Sequence, residues 1–195
     1  MTESYYDDER GLKFAESTAS LEMTSLYKPF LARIPKGGHI LDVGCGSGRD
    51  TKNFLQMGYK VTAFDASPQM VAFASKLAKH PVMQMTFDDV NFVDEFDGVW
   101  ACASLLHVAK ADLNSVLVRL VHALKPGGVM YMSFKHGVEE QVRNGRRFSD
   151  FTEGTVRALI AGLSKLEVEE LWETGDLRPG REVEHWMNII AGKKF

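Results

Sequence analysis

Cysteine is scarce: Cys45 and Cys102 are the only two in 195 residues. Two thiols exclude a disulfide framework and any zinc site built mainly from cysteine, and no metal is expected. Long apolar runs are missing, and none approaches the roughly 20 residues that a membrane-spanning helix needs. The opening stretch MTESYYDDER is acidic and polar. It lacks the basic-then-apolar order of a signal peptide, so the cytoplasm is the expected compartment. There is no excess of positive charge either: 23 Lys and Arg face 26 Asp and Glu, a net of −3. That disfavours a broad nucleic-acid-binding surface and leaves only local basic patches. Repeats, low-complexity tracts and Pro/Gly/Ser linkers are absent, so one domain over residues 1–195 is the expectation. What remains is ordinary globular composition, 45% hydrophobic and 25% charged, in a chain long enough to bury a core.

Apolar residues from Leu12 to Leu31 fall at helical spacing, which predicts one or two helices as an N-terminal cap over 1–38, closed by the Pro35-Lys36-Gly37-Gly38 turn. An alternating series follows. Strands are predicted at His39–Val43, Tyr59–Phe64, Val82–Thr86, Gly98–Ala103 and Val129–Phe134. Helices are predicted at Asp50–Met57, from Ser67-Pro68 to Lys79, and at Asp112–Leu124. Such alternation implies crossover connections and a parallel sheet covered on both faces. After a helix near Thr152–Leu163 come two strand-like runs, Lys165–Thr174 and Glu184–Ala191, close enough to form an antiparallel hairpin. The expected fold is α/β: a Rossmann-like, doubly wound, mainly parallel seven-stranded sheet with an antiparallel edge hairpin and helices on both faces. Residues 39–134 would be its central core, and 135–195 a closing segment with the antiparallel strands.

The most informative stretch is HILDVGCGSGRD, residues 39–50. A strand delivers the chain to Gly44, Gly46 and Gly48, and a helix follows. Glycines there permit unusual backbone angles and close approach of a ligand to the main chain. The dinucleotide fingerprint G-x-G-x-x-G fails at Arg49, and no Lys-Ser/Thr pair follows the glycines to make a P-loop. Asp65 ends the second strand. A carboxylate there can accept from the vicinal hydroxyls of a ribose, or it can simply open the next turn before Ser67-Pro68. Glycine turn and acid together point to a nucleoside-containing cofactor.

At this point the chain resembles the class I S-adenosylmethionine-dependent methyltransferases. The resemblance is carried by ILDVGCGSG (Ile40–Gly48), Asp65, FDGVWACASLLHV (Phe96–Val108) and LKPGG (Leu124–Gly128), in family order and at family spacing. Within the family it is most similar to small single-domain bacterial enzymes of the tellurite-resistance and small-molecule type. The resemblance implies S-adenosyl-L-methionine as cofactor and S-adenosyl-L-homocysteine as product. It implies that Asp42, Gly44, Cys45, Gly46 and Gly48 line the methionine end, that Asp65 holds the ribose and that Ala66 flanks the adenine. Thr86, Phe87 and Asp88 would form the adenine pocket, with Asp89 adjacent and the register open. Ala103, Ser104 and Leu105 would lie beneath the sulfonium, and Tyr6, Phe14 and Thr18 are the candidates to cover it. Arg49 departs from the small or neutral residue of many relatives. It has three readings: a partner for the cofactor's carboxylate, a partner near Asp50, or a solvated helix start.

Methyl transfer is an in-line displacement, and holding donor and acceptor in near-attack geometry is its main requirement. A base is needed only if the acceptor must lose a proton, and then a pKa near 7 is favoured. His107, just past the fourth strand, is the candidate; packing is its alternative role. His39 and His122 read as structural or exposed, and His136 follows the fifth strand with no fixed direction. Lys135–Arg147 carries more basic than acidic residues and reads either as a lid or as an exposed loop. Lys135, Arg146 and Arg178 are the substrate-side candidates, suited to an anionic acceptor. Trp186 and Asn188 share one side of a strand, with Trp186 expected in the core. The expected acceptor is a small molecule, the expected state a monomer or homodimer. Alternatives are methylation of RNA or protein, non-catalytic S-adenosylmethionine binding, and, at fold level, an NAD-dependent oxidoreductase.

Overall fold

The computed structural model describes residues 3–178, 180–181 and 183–195. Three helices precede the sheet: α1 (Glu3–Tyr6), α2 (Glu9–Thr18) and α3 (Thr24–Leu31). Asp8 caps α2 by accepting from the Arg10 N–H at 2.8 Å. The helical stretch expected over residues 12–31 is thus divided in two. Leu26, Tyr27 and Phe30 of α3 are buried, so α3 is part of the core as well as a cap.

The alternating series then unfolds as β1 (His39–Val43), α4 (Arg49–Gln56), β2 (Lys60–Asp65), α5 (Pro68–Ala78), β3 (Met83–Gln84), β4 (Phe96–Ala101), α6 (Lys110–Ala123) and β5 (Leu124–Lys135). Ser67 caps α5 through the Met70 N–H and Pro68 opens it. The chain closes with β6 (Glu140–Arg143), β7 (Arg146–Ser149), α7 (Glu153–Ala161), β8 (Leu166–Gly175) and β9 (His185–Lys193).

Seven strands form one sheet in the order β3-β2-β1-β4-β5-β9-β8. The first five are parallel. β9 pairs antiparallel with both β5 and β8, giving the predicted edge. The strand order reverses between β1 and β4, and such a switch point opens a crevice at the carboxyl ends of the strands. α3, α4 and α5 contribute to one buried cluster, where Phe30 and Phe54 pack around Trp100, and Trp100 stacks on Tyr131 with centroids 3.9 Å apart. α6 and α7 contribute to the other cluster. Full burial of Phe30 and Phe54 contributes about 1.5–3 kcal/mol each.

Three local expectations change. The third strand shrinks from Val82–Thr86 to Met83–Gln84, because a capped turn at Phe87–Asp89 draws the chain away from the sheet edge. The Lys125–Gly128 turn sits inside β5: Leu124 pairs with Phe96, and pairing resumes only at Val129 with Gly98. The Lys135–Arg147 segment is mostly ordered structure, since its second half joins β6 and β7 into a separate antiparallel ribbon in register Arg143↔Arg146.

Candidate functional site

Between β1 and α4 the chain makes the glycine turn. Gly44, Gly46 and Gly48 all have positive φ, from 53° to 76°. A Cβ on Gly46 would meet nothing within 4 Å, so its main chain borders open space. A Cβ on Gly44 would stand 2.8 Å from the Ser104 Cβ. The two loops therefore approach as closely as they do only because residue 44 has no side chain.

A cavity of about 800 Å³ opens over this turn. It is lined by the ends of β1, β2 and β5, by the loop after β4, by α2, by β7 and by the loop after β8. Of the sequence-predicted cofactor residues it collects Tyr6, Phe14, Thr18, Asp42, Gly44, Cys45, Gly46, Asp65, Ala66, Thr86, Phe87, Asp88, Ala103 and Ser104. Gly48 and Leu105 do not line it. Gly48 is there for packing: a Cβ would come within 2.8 Å of the Ala74 backbone, so the glycine lets α4 and α5 touch. Leu105 is fully buried and points into the sheet core.

Asp65 lies directly beside the open backbone of the glycine turn. Its Oδ2 accepts from the Gly46 N–H at 2.9 Å and its Oδ1 from the Ser67 N–H at 3.0 Å. Burial raises its pKa, and the N–H groups of Ser67, Gly46 and Ala66 oppose that rise. The two acids after β3 separate cleanly. Asp89 closes the Thr86 turn, accepting from the Thr86 N–H at 2.8 Å and its hydroxyl at 2.7 Å, whereas Asp88 lines the cavity. Ala103 lies at φ +52°, a strained setting for a residue with a Cβ. The Ser133 hydroxyl accepts its N–H at 2.8 Å. Next to it, the Ser104 Oγ is buried without a hydrogen-bond partner.

Under the methionine end predicted from the sequence lies a buried polar cluster. Arg49 pairs with Asp50 through Nε at 2.6 Å and Nη2 at 2.8 Å, which selects the second of its three readings. Asp50 also accepts from the Tyr27 hydroxyl at 2.5 Å and the Trp100 Nε1 at 2.9 Å. Asp42 accepts from the Thr51 hydroxyl at 2.5 Å. Burial, then the nearby Asp50, pushes its carboxyl pKa up. Cys45 and Cys102 both line the cavity as free thiols, and burial pushes Cys102 up to about 12.

His107 is held on both nitrogens. Its Nδ1 lies 2.6 Å from the Arg147 carbonyl, which can only accept, so Nδ1 carries the proton. Nε2 then accepts from the Tyr6 hydroxyl at 3.1 Å. Burial, with Arg146 and Lys135 nearby, draws its pKa down to about 4 despite the Arg147 bond. The ring is therefore neutral at ordinary pH, and the expectation of a pKa near 7 is corrected. A pH signature follows. The folded value lies below the unfolded value of about 6.5, so the unfolded chain takes up this proton first as pH falls. The ring's contribution to stability is complete above about 6.5 and drains away towards pH 4. In urea titrations from pH 7 to 4, His107→Gln is expected to flatten that fall; an unchanged slope would clear His107 of it.

The far end holds Lys135, Arg178, Trp186 and Asn188. Lys135 pairs with Glu184, and the Arg178 Nε donates to Asp176 at 2.8 Å. Trp186 packs against the core, as expected, and it also lines the cavity, where its Nε1 donates to Asp176 at 3.0 Å. Asn188 lines the same cavity, as their shared side of β9 requires. Sequence reasoning missed Tyr131 and Ser133, which reach the cavity from β5; their alternation with core residues is masked by the continuous apolar run. His136 lies 3.5 Å from Glu173, outside the cavity lining. Among the described residues no cluster of His, Cys, Asp or Glu stands ready for a metal ion, and no helix is long and apolar enough to cross a membrane.

Residues 40–128 match the family described as "Methyltransferase domain". The solved structure of a Burkholderia thailandensis 1,6-didemethyltoxoflavin-N1-methyltransferase, with 1,6-didemethyltoxoflavin and S-adenosylhomocysteine bound, superposes with a TM-score of 0.77 at 22% identity, over 98% of this chain and 85% of that one. The strand order, the glycine turn and this superposition agree. This is the fold of the class I S-adenosylmethionine-dependent methyltransferases. The same methyltransferase fold recurs in magnesium protoporphyrin IX methyltransferase from Synechocystis PCC 6803, at a TM-score of 0.79, 14% identity and 98% coverage of both chains. In sequence, a ubiquinone biosynthesis O-methyltransferase of Xanthomonas axonopodis pv. citri is 30% identical over 106 residues, 51% of this chain and 44% of that protein. An uncharacterized methyltransferase of Synechocystis is 31% identical over 105 residues, 53% of this chain and 50% of that protein. The matched stretch spans half or less of those curated relatives.

Proposed function

We propose that this protein is an enzyme that uses S-adenosyl-L-methionine to methylate a small-molecule acceptor, leaving S-adenosyl-L-homocysteine. The observation that carries the reading is the pairing, in one cavity, of the Asp65 carboxylate with the open main chain at Gly46. A second support is the orphaned Ser104 hydroxyl beside Gly44, a buried polar atom that asks for a ligand.

The residues fit an adenosyl sulfonium. Asp65 would accept the ribose hydroxyls, and Asp88, freed by Asp89's capping role, would receive the adenine amine. The main chain at Gly44–Gly46 and the Asp42 carboxyl would meet the amino-acid end. Tyr6, Phe14 and Thr18 would close over it. Bound there, the sulfonium supplies an electrophilic methyl whose leaving group needs no acid. The chain's own task is positioning and exclusion of water. His107 faces the same cavity with its Nε2 lone pair held by Tyr6. It serves as a hydrogen-bond acceptor for an acceptor hydroxyl that replaces Tyr6. With a pKa near 4 it is a weak base, which suits acceptors that are already acidic. The toxoflavin enzyme, solved with a small heterocycle, supports the small-molecule class.

The test is calorimetry with S-adenosylmethionine, S-adenosylhomocysteine and NAD, followed by an assay for S-adenosylhomocysteine release over an acceptor panel. Binding of the two sulfur compounds and turnover with a small acceptor are expected. Preference for NAD would sink the reading, and tight binding without turnover on any acceptor would reduce the protein to a cofactor-binding module.

A further inference from the structure

Five arginines line the cavity: Arg49, Arg146, Arg147, Arg178 and Arg181. Four of them are paired with carboxylates, namely Asp50, Glu140, Asp176 and Glu184. Arg146 has no carboxylate partner among the described residues. Its guanidinium carbon lies 4.2 Å from the Tyr5 ring centroid and 5.1 Å from that of Phe148, with Tyr6 and Phe14 at 5.9 and 5.8 Å. Its side chain makes one hydrogen bond, from Nη1 to the Tyr6 hydroxyl at 3.4 Å. Its Nε is buried with no acceptor.

Aromatic faces fix a guanidinium in place and attract its charge, but they offer nothing to its N–H donors. A cation set in apolar surroundings with unused donors is costly unless an anion completes it. Arginine offers its donors as a planar fork that matches a carboxylate, and one fork edge here, Nε with Nη2, has no acceptor among the described residues. An acceptor with a negative group supplies that missing partner.

We propose that Arg146 is the docking point for an oxyanion on the methyl acceptor, so that the enzyme selects small organic carboxylates over neutral molecules of the same shape. This rests on the methyltransferase reading above and deepens it. Of the three basic residues singled out from the sequence, Lys135 and Arg178 each touch a carboxylate, Glu184 and Asp176; Arg146 touches none among the described residues.

The test is calorimetry on the full chain in two arms. The first titrates S-adenosylhomocysteine into the wild type, R146Q and R146K, which gives the concentration that saturates each of them. The second, with that compound saturating, titrates benzoate against benzamide and 1-naphthoate against 1-naphthamide. In the wild type each carboxylate is expected to bind about tenfold tighter than its amide, the scale of one charge-assisted hydrogen-bonded contact. R146Q should lose the preference, and R146K should keep part of it because it keeps the cation. A purely structural latch between ribbon and N-terminal helices would lower the melting temperature of the variants and leave the acid-over-amide preference untouched. Equal binding of acid and amide by the wild type, a preference that survives in R146Q, or no carboxylate binding at all overturns the proposal. Failure of the first arm in the wild type overturns the cofactor reading instead, and the acid-amide comparison on the bare chain still decides the role of Arg146.

Discussion

Replacing Asp65 with alanine is expected to weaken S-adenosylhomocysteine binding by about 1–3 kcal/mol, roughly five- to 150-fold in Kd. The carboxylate closes β2 at the mouth of the cavity, where each oxygen already accepts one backbone N–H, from Gly46 and from Ser67. A carboxylate oxygen has a second lone pair, and those two remain for a pair of adjacent hydroxyls. Alanine removes both acceptors and also orphans the two N–H donors that hold the glycine turn against the start of α5. Asp65→Asn keeps the shape and one acceptor oxygen, so its loss should be intermediate. Calorimetric titration of the three proteins decides the matter; an Asp65→Ala protein that binds with wild-type affinity ends the ribose assignment.

Asp50→Ala is expected to cost about 3–5 kcal/mol of stability, the scale for removing one partner of a buried ion pair. Asp50 is buried and accepts four hydrogen bonds, two from Arg49 and one each from Tyr27 and Trp100. The alanine variant leaves the Arg49 guanidinium, with a side chain only 13% exposed, facing no carboxylate of its own. It also strands the Tyr27 hydroxyl and the Trp100 N–H. Asp42 partly offsets the loss. Once Asp50 no longer raises its pKa, Asp42 ionises more readily and faces the freed cation. The double variant Asp50→Ala/Arg49→Met should therefore recover much of the stability, because an apolar pair needs no neutralisation. Urea unfolding reads both numbers. A loss under about 1 kcal/mol in the single variant would mean that solvent reaches Arg49 and that the cluster holds nothing together.

The cluster explains why Arg49 resisted a single reading from sequence. Its neighbour in the chain, Asp50, is also its partner in space, but the donors that fix that carboxylate come from α3 and β4, 23 and 50 residues away. Asp88 and Asp89 present the same difficulty at shorter range. Adjacent acids are indistinguishable in composition, and only the capping geometry of the Thr86 turn assigns Asp89 to the backbone and leaves Asp88 to the cavity. Gly48 was legible as a glycine with a purpose, but the purpose is the contact with Ala74 on α5. Leu105 was misplaced because an apolar residue next to a site looks the same whether it points at the core or at the cavity.

By itself the sequence determined the parallel core and its order of elements, because periodicity, Pro-Gly punctuation and caps are local signals that act within a few residues. It likewise determined the glycine turn and the acid that ends β2, since both are set by backbone geometry at a strand exit. The tertiary structure alone decided which charges are satisfied. Arg178, Lys135 and Arg146 are equivalent as letters, and they differ only in whether folding brings a carboxylate to them: Asp176 and Glu184 meet the first two, while aromatic rings meet the third. It also decided the protonation of His107, because burial and the Arg147 carbonyl are properties of the assembled site. Long-range pairing depends on positions in space that no local pattern encodes, and in this protein it sets the character of the cavity.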